Sequence, residues 1–306
     1  MRKTHTPAFA IVVLLFACAL PARAQQQSAL PDMLVGGEAM YTVQHGDAFT
    51  RIGARFGVDA TTLAHDNGLT PSARLRVGQV LRVDNRHIIP QLLEEGILIN
   101  LPQRMLFYFL RGTLLRHYPV GLGRPSWPTP TAEFEVVRMQ ADPVWHVPKS
   151  IQEEMARSGK KVKTRVPPGP DNPLGKYMIG LSLPCYGIHG TIAPGSIYGF
   201  HTHGCIRLHP DDIADLFSRV AIGTPGRIIY APVLLAQGDG GRIYLEVHRD
   251  IYKQGVDMVQ TVQRLATARG VGGLLDWQRV AEVIRMQEGV AREVSLRSSV
   301  RIERGE

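Results

Sequence analysis

The strongest constraint on the fold is a series of short apolar segments between residues 97 and 247, each cut off by glycine, proline or aspartate. The first two, 97–101 (ILINL) and 105–110 (MLFYFL), are rich in β-branched and aromatic residues and flank Pro102-Gln103, so they read as a hairpin. Segments at 116–120, 133–138, 177–183, 206–208, 227–230 and 242–247 have strand length and strand composition. A chain punctuated this way buries its apolar faces as a mainly antiparallel barrel or sandwich. One helix interrupts the series after Pro210: Asp211 and Asp212 fall in its first turn, where the helix dipole favours acids, and Ile213, Leu216 and Phe217 share a face.

The densest chemistry lies at 188–208, IHGTIAPGSIYGFHTHGCIRL. Cys205 is preceded by Thr202, His203 and Gly204, and His189-Gly190 stands sixteen residues upstream. A thiol attacks as thiolate, and a neighbouring imidazole is the usual device that produces one. Gly204 lets backbone approach a reacting carbonyl, and the Gly204 and Cys205 amides are placed to donate to an oxyanion. On a strand, Arg207 shares a face with Cys205 and suits a carboxylate. Two blander readings stand beside this one. A single cysteine is more often a small buried apolar residue. The crowding of His189, His201, His203, Cys205 and His209 also offers mixed nitrogen and sulfur ligands, although no paired-cysteine or HExxH spacing is present.

The pattern His189, then Thr202-His203-Gly204-Cys205-Ile206-Arg207, resembles the signature of the L,D-transpeptidases, the YkuD-like domain. The likeness extends to Gly121-Leu122-Gly123-Arg124, Thr129-Pro130-Thr131, Asp142-Pro143-Val144-Trp145, 170–175 (PDNPLG) and Ile188-His189-Gly190-Thr191. Two positions depart from the family: Ala132 stands where glycine follows Thr-Pro-Thr, and Tyr198 where glycine follows Ser-Ile. The resemblance implies a cysteine enzyme that needs no cofactor or metal. It makes Cys205 the nucleophile, with His189 as base and Gly190 setting its tautomer. His203 then orients the loop or supports the oxyanion site, a reversal of the two histidine roles remaining open. Arg207, Thr202 and Tyr198 would contact substrate.

A second unit precedes this one. Tyr41-Thr42-Val43 is β-like and His45-Gly46-Asp47 a turn; Ile52 and Phe56, four apart, mark a helix ended by Gly57. A second helix carries Leu63 and closes at Asn67-Gly68, and 76–83 forms a closing strand. This βααβ order, with Gly46-Asp47, Phe56-Gly57-Val58, Asn67-Gly68-Leu69 and Val77-Gly78-Gln79, resembles a LysM module, a binder of N-acetylglucosamine-containing glycan. Gly46, Asp47, Phe49, Asn67 and Gly68 are its implied contact residues, with Ala48 and Phe49 replacing the usual Thr-Leu. The alternative is a purely structural βααβ unit. The module-plus-enzyme layout resembles the ErfK/YbiS-type periplasmic enzymes.

The ends complete the expected organisation. Arg2 and Lys3, an apolar core at 8–20 and Ala22-Arg23-Ala24 read as an export signal over 1–24. Lipidation at Cys18 competes weakly, because Phe16 fits such a site poorly. A linker is expected at 25–39, the LysM unit at 40–84, the catalytic domain at 96–232, and a strand and helical extension at 233–306. The expected fold class is mainly β with small α elements. In the extension, Met258, Val259, Val262 and Leu265 suggest one helix. After a break at 270–273, Asp276 caps a second with Trp277, Val280 and Ile284 on one face. It reads as a packing appendage more readily than a partner-binding arm.

Cleavage would remove Arg2, Lys3 and Arg23 and take the formal charge from +8 to +5, suited to an anionic wall polymer. No basic run interleaved with aromatics calls for nucleic acid, and no later stretch is long enough to insert stably in a membrane. Of the two remaining cysteines, Cys185 is either an incidental small residue or a redox partner of Cys205, and the incidental reading is favoured because a disulfide would silence the nucleophile. The implied partner is peptidoglycan, at its stem tetrapeptides. The implied acceptor is a lipoprotein lysine, a diaminopimelate amine or water. A wall-binding protein without catalysis is the reading from another class.

Overall fold

A computed structural model describes residues 33–296; the expected export signal and the charged tail lie outside the described residues. The hairpin forms as strands Glu95–Asn100 and Met105–Leu110, paired antiparallel from Glu95–Leu110 to Asn100–Met105. Both strands are apolar without alternation because both faces are covered. Ile97, Ile99, Leu106 and Tyr108 point into one core, and Leu98, Met105, Phe107 and Phe109 into another on the opposite face.

The hairpin belongs to an eight-stranded sheet that runs, in spatial order, Ile206–Arg207, Gly187–His189, Tyr177–Leu181, Ala132–Ala141, Pro225–Ile229, Glu95–Asn100, Met105–Leu110 and Thr113–Pro119. Two pairings are parallel, Gly187–His189 with Ile206–Arg207 and Pro225–Ile229 with Glu95–Asn100; the others are antiparallel. The sheet curls until the chain leaving its last strand meets the first. Gly121 and Arg207 exchange backbone hydrogen bonds of 2.7 and 2.8 Å. The fold is therefore mainly β with few helices, as expected. Helices are labelled α1 (Phe49–Phe56), α2 (Ala60–His65), α3 (Lys149–Arg157), α4 (Pro210–Phe217), α5 (Met258–Ala268) and α6 (Trp277–Met286). Helix α4 packs Ile213 and Leu216 into the curled sheet's core.

The amino-terminal unit is the expected βααβ: Glu38–Thr42 pairs antiparallel with Val80–Asp84 around α1 and α2. Gly57, at φ 74°, ends α1 in the left-handed conformation that glycine adopts without penalty. The expected linker differs from what forms. Leu34–Val35 pairs with His87–Ile88, and Glu38 and Ala39 are already in the module's sheet. The strand composition of 34–39 is unremarkable alone, and its partners lie some fifty residues away in sequence.

The extension builds a three-stranded sheet, Val233–Gln237, Ile243–Val247 and Arg292–Glu293, under α5 and α6. Asp257 and Asp276 cap the two helices, the latter accepting from the amides of Gln278 (3.0 Å) and Arg279 (3.1 Å). Val280 and Val283 supply the buried stripe of α6, whereas Trp277, expected there, is 43% exposed and donates to the Gly272 carbonyl.

This extension also clamps the βααβ unit. Val290 completes that unit's core, and Arg292 reaches Asp66, Asp84 and Glu288 at 2.7–3.0 Å. Arg104, after the first strand of the large sheet, pairs with Asp59 at 2.9 Å through both terminal nitrogens. The described residues consequently cluster as one unit.

Candidate active site

Parallel pairing sets the site. Ile188 lies opposite Ile206 and His189 opposite Arg207. Because strand side chains alternate, the two isoleucines enter the core while Gly187, His189, Cys205 and Arg207 share the other face. The sequence segment 188–208 thus brings its histidine and its cysteine to adjacent strands across an intervening loop.

His189 is buried, and its Nδ1 lies 2.6 Å from the Gly190 carbonyl. A carbonyl only accepts, so Nδ1 carries the proton and Nε2 the lone pair, the tautomer a general base requires. Burial, with the Arg207 cation second, holds this histidine down to about 4. The ring is accordingly neutral at physiological pH.

Cys205 is half-buried, and its thiol donates to the Cys185 carbonyl at 3.7 Å. Burial pushes the thiol up; the Gly187 N–H and the Arg207 cation act in the opposite direction without outweighing it. Among the described residues, no hydrogen bond joins the His189 ring to the sulfur. The resting pair is thus thiol and neutral imidazole, rather than the thiolate expected from the sequence. Cys185 and Cys205 are both free thiols.

The loop around the cysteine is braced from within. The Thr202 hydroxyl donates to the Cys205 carbonyl at 2.6 Å and accepts the Gly204 N–H at 3.1 Å. This buried threonine is spent on the loop, which leaves it no group for substrate. The Gly204 amide is committed as well, so of the two amides expected to meet an oxyanion, that of Cys205 is the one without a partner among the described residues. Gly204 adopts φ 104°, and a Cβ there would sit 2.6 Å from Tyr186 Cε1. Its carbonyl accepts from the Thr129 hydroxyl at 2.8 Å, and that hydroxyl also accepts the Gly123 N–H.

His203 turns away from the sulfur. Its Nε2 meets the Glu154 carboxylate on α3 and lies 3.2 Å from Arg124 Nη2, while Trp127 packs edge-on with ring centroids 4.8 Å apart. Arg124 also donates to both Glu154 oxygens, at 3.0 and 3.1 Å. The His203 ring is thus held by groups on α3 and at Arg124. Arg207 donates to Ser196 Oγ at 2.9 Å, and its Nε is buried with no partner among the described residues. An unpaired buried guanidinium nitrogen beside the nucleophile suits an incoming carboxylate.

Tyr198 corrects an expectation. It is 6% exposed, its ring lies under the Arg104 guanidinium at 4.0 Å, and its hydroxyl donates to Gly289. A tyrosine so enclosed holds the junction with the extension and does not reach substrate. Phe49 likewise is 3% exposed and fills the βααβ core. Asp47 accepts from Tyr41 Oη and the Gln44 amide, and Asn67 bonds the backbone of Leu63 and Arg82, so both side chains maintain the module itself. Gly46 and Gly68 are exposed, at φ 84° and 66°. The histidines that crowded the sequence separate: His203 goes to Glu154 and His209 to Asp211, and His201 is exposed. Among the described residues, the three-ligand cluster with metal-like spacing is His65, Asp66 and Glu288, whose carboxylates are engaged by Arg292.

Sequence reasoning missed Glu154, Trp127, Tyr186 and Ser196. Arg124 and Thr129 lay inside noted motifs but had been given no role. Glu154 carried no signal, since its partners Arg124 and His203 lie about thirty and fifty residues away in sequence.

The curled sheet thus sets a free cysteine, at the start of one strand, beside a carbonyl-bound histidine on the neighbouring parallel strand. Residues 94–228 match the L,D-transpeptidase catalytic domain (YkuD), and 41–84 match the LysM domain. The chain is 32% identical over 250 residues to "Probable L,D-transpeptidase ErfK/SrfK" of Salmonella typhimurium, covering 79% of this chain and 81% of that one. It is 31% identical to "Probable L,D-transpeptidase YbiS" of Escherichia coli K12, over 71% of this chain and 72% of the relative. Against "Probable L,D-transpeptidase YcfS" of the same organism the identity is 33%, over 77% and 76%. The chain belongs to the L,D-transpeptidase family and carries an amino-terminal LysM domain.

Proposed function

We propose that Cys205 is the nucleophile of a two-step acyl transfer on peptidoglycan stem tetrapeptides. The observation that carries this reading is the shared face of His189 and Cys205, with Nδ1 fixed by the Gly190 carbonyl so that Nε2 is left as base. Sγ attacks the carbonyl between the third residue and the terminal D-alanine, and the thiol proton passes to His189 as the S–C bond forms. The Cys205 amide meets the oxyanion, and Arg207 receives a substrate carboxylate. Collapse breaks the C–N bond, and D-alanine leaves with the proton held by His189. The thioester is then attacked by an amine, which yields its proton to His189; the thiol re-forms as the new amide departs.

A raised thiol and a depressed histidine support attack coupled to proton transfer over a pre-formed ion pair. The acceptor is an amine of the envelope, a lipoprotein lysine or a diaminopimelate side chain. The export signal read from sequence puts this work in the periplasm, and among the described residues no helix is long and apolar enough to cross a membrane. The LysM module holds the enzyme on its polymer. Cys205→Ala is expected to lower D-alanine release from a soluble tetrapeptide by at least about a thousandfold, with the thermal melt retained. Release at the wild-type rate, read by mass spectrometry, would refute the assignment.

A further inference from the structure

A groove of about 570 Å³ runs between the LysM module and the catalytic domain. One wall is modular: Tyr41, Asp47, Arg51 and Arg55 face it from the turn and from α1. The other wall is the catalytic loop 192–196, which contributes Ile192 and Ser196. The walls touch at the base, where a Cβ on Gly195 would lie 3.7 Å from Arg51 Cγ. Ser196 is also the residue that accepts Arg207 Nη1 at 2.9 Å, and Arg207 lies two residues from Cys205. A ligand in this groove therefore sits one side chain away from the catalytic face.

The wall chemistry is mixed in a specific way. Arg51 and Arg55 are exposed cations one helical turn apart, while the nearby Asp47 already accepts from Tyr41 at 2.7 Å. Ile192, 51% exposed, gives an apolar surface opposite them. Sugars stack on apolar and aromatic surfaces, and guanidinium groups take carboxylates. A polymer that carries both, hydroxyl-rich glycan with acidic peptide branches, meets both walls at once.

Resting on the transpeptidase reading above, we propose that this groove seats the muramyl-peptide junction of the donor strand, the sugar against Ile192 and Tyr41 and the first stem carboxylate against Arg51 and Arg55. Three stem residues separate that junction from the scissile bond and span at most about 10 Å. The clamp formed by Arg292 and Arg104 keeps the two walls in register, so the groove acts as a gauge that selects donors still attached to glycan. This site lies on the α1 face of the module. Phe49, on the same helix, is turned into the core and takes no part.

The test compares a glycan-free tetrapeptide with the same peptide on its disaccharide. Arg55→Glu and Ile192→Asp change exposed side chains, and thermal melts confirm the fold. Each is expected to lower the ratio of kcat/KM for the disaccharide peptide to that for the free peptide about tenfold. Arg285→Glu, an equal charge change on α6, leaves the ratio at the wild-type value. A ratio within twofold of wild type in both groove variants overturns the proposal, and so does a parallel fall on both substrates. Co-sedimentation of Cys205→Ala protein with intact sacculi reads the groove independently of turnover. There Arg55→Glu is expected to raise the dissociation constant about tenfold, and unchanged retention overturns the groove. A failure of the Cys205 assignment would show instead as turnover surviving Cys205→Ala.

Discussion

His189 shows how one side chain links stability to chemistry. Its ring is harder to protonate in the folded protein than in the unfolded chain, held at about 4 against an ordinary 6.5, with burial the larger cause and Arg207 the second. Below pH 6.5 the unfolded state takes up a proton that the native ring refuses. Stability is therefore complete above that pH, declines as pH falls toward 4, and loses nothing further from this residue below it. The loss from His189 is roughly 3 kcal/mol by the conversion of pKa difference to free energy. His117, half-buried and likewise held at about 4 by burial, contributes a similar decline that His189→Gln would not touch. Urea titrations at pH 7 and pH 4.5 should therefore show a smaller pH-dependent difference in His189→Gln than in wild type. An equal difference would mean that the ring is not desolvated as described.

Among elements, α3 is the one whose purpose lies outside itself. None of its side chains is fully buried, and its apolar residues Ile151 and Met155 are only half-buried. Its anchors to the catalytic loop are polar, the pairing of Glu154 with Arg124 and His203. Ion pairs this near the surface orient more than they stabilise. Glu154→Gln is thus expected to leave the melting temperature within a few degrees of wild type. It should slow turnover several-fold, because His203 and the Thr202–Cys205 loop lose their outer brace. Hydrogen exchange across 149–157 should quicken in the same variant; unchanged exchange and unchanged kcat together would show that the clasp has no hold on the loop. The role of α3 was not legible in sequence, because Glu154 meets its partners only across a long stretch of chain. The Asp276 cap, by contrast, was readable and forms, since a cap is specified by residues within one turn.

At the scale of the whole molecule, the extension after residue 232 decides how the LysM unit is carried. Arg292 joins carboxylates from three places, Asp66 beside α2, Asp84 on the module's closing strand and Glu288 on the extension. Arg292→Ala leaves Asp66 and Glu288 without this guanidinium, while Asp84 keeps Arg86 at 2.6 Å. A loss of about 3–5 kcal/mol is expected, the usual cost of breaking a buried pair from one side. Urea unfolding should show the module melting ahead of the catalytic sheet; a single transition at the wild-type midpoint would contradict the clamp. The extension thus packs, as expected from its sequence, but it packs as the part that fixes one domain on another.

The sequence by itself determined what is written in short range: the strand-and-turn series of the curled sheet, the βααβ module, and the thiol and imidazole grouped in 188–208. Local preference and a family motif span only a few residues, and they are set before the chain is compact. Tertiary structure decided the rest. It made Cys205 a half-buried thiol beside a neutral ring, committed Thr202 and the Gly204 amide to the loop, and enclosed Tyr198 under Arg104. It also brought Glu154 to His203 and Arg292 to three distant acids. Each of these depends on desolvation or on a charge from a remote part of the chain, and both come into being only when the surfaces close.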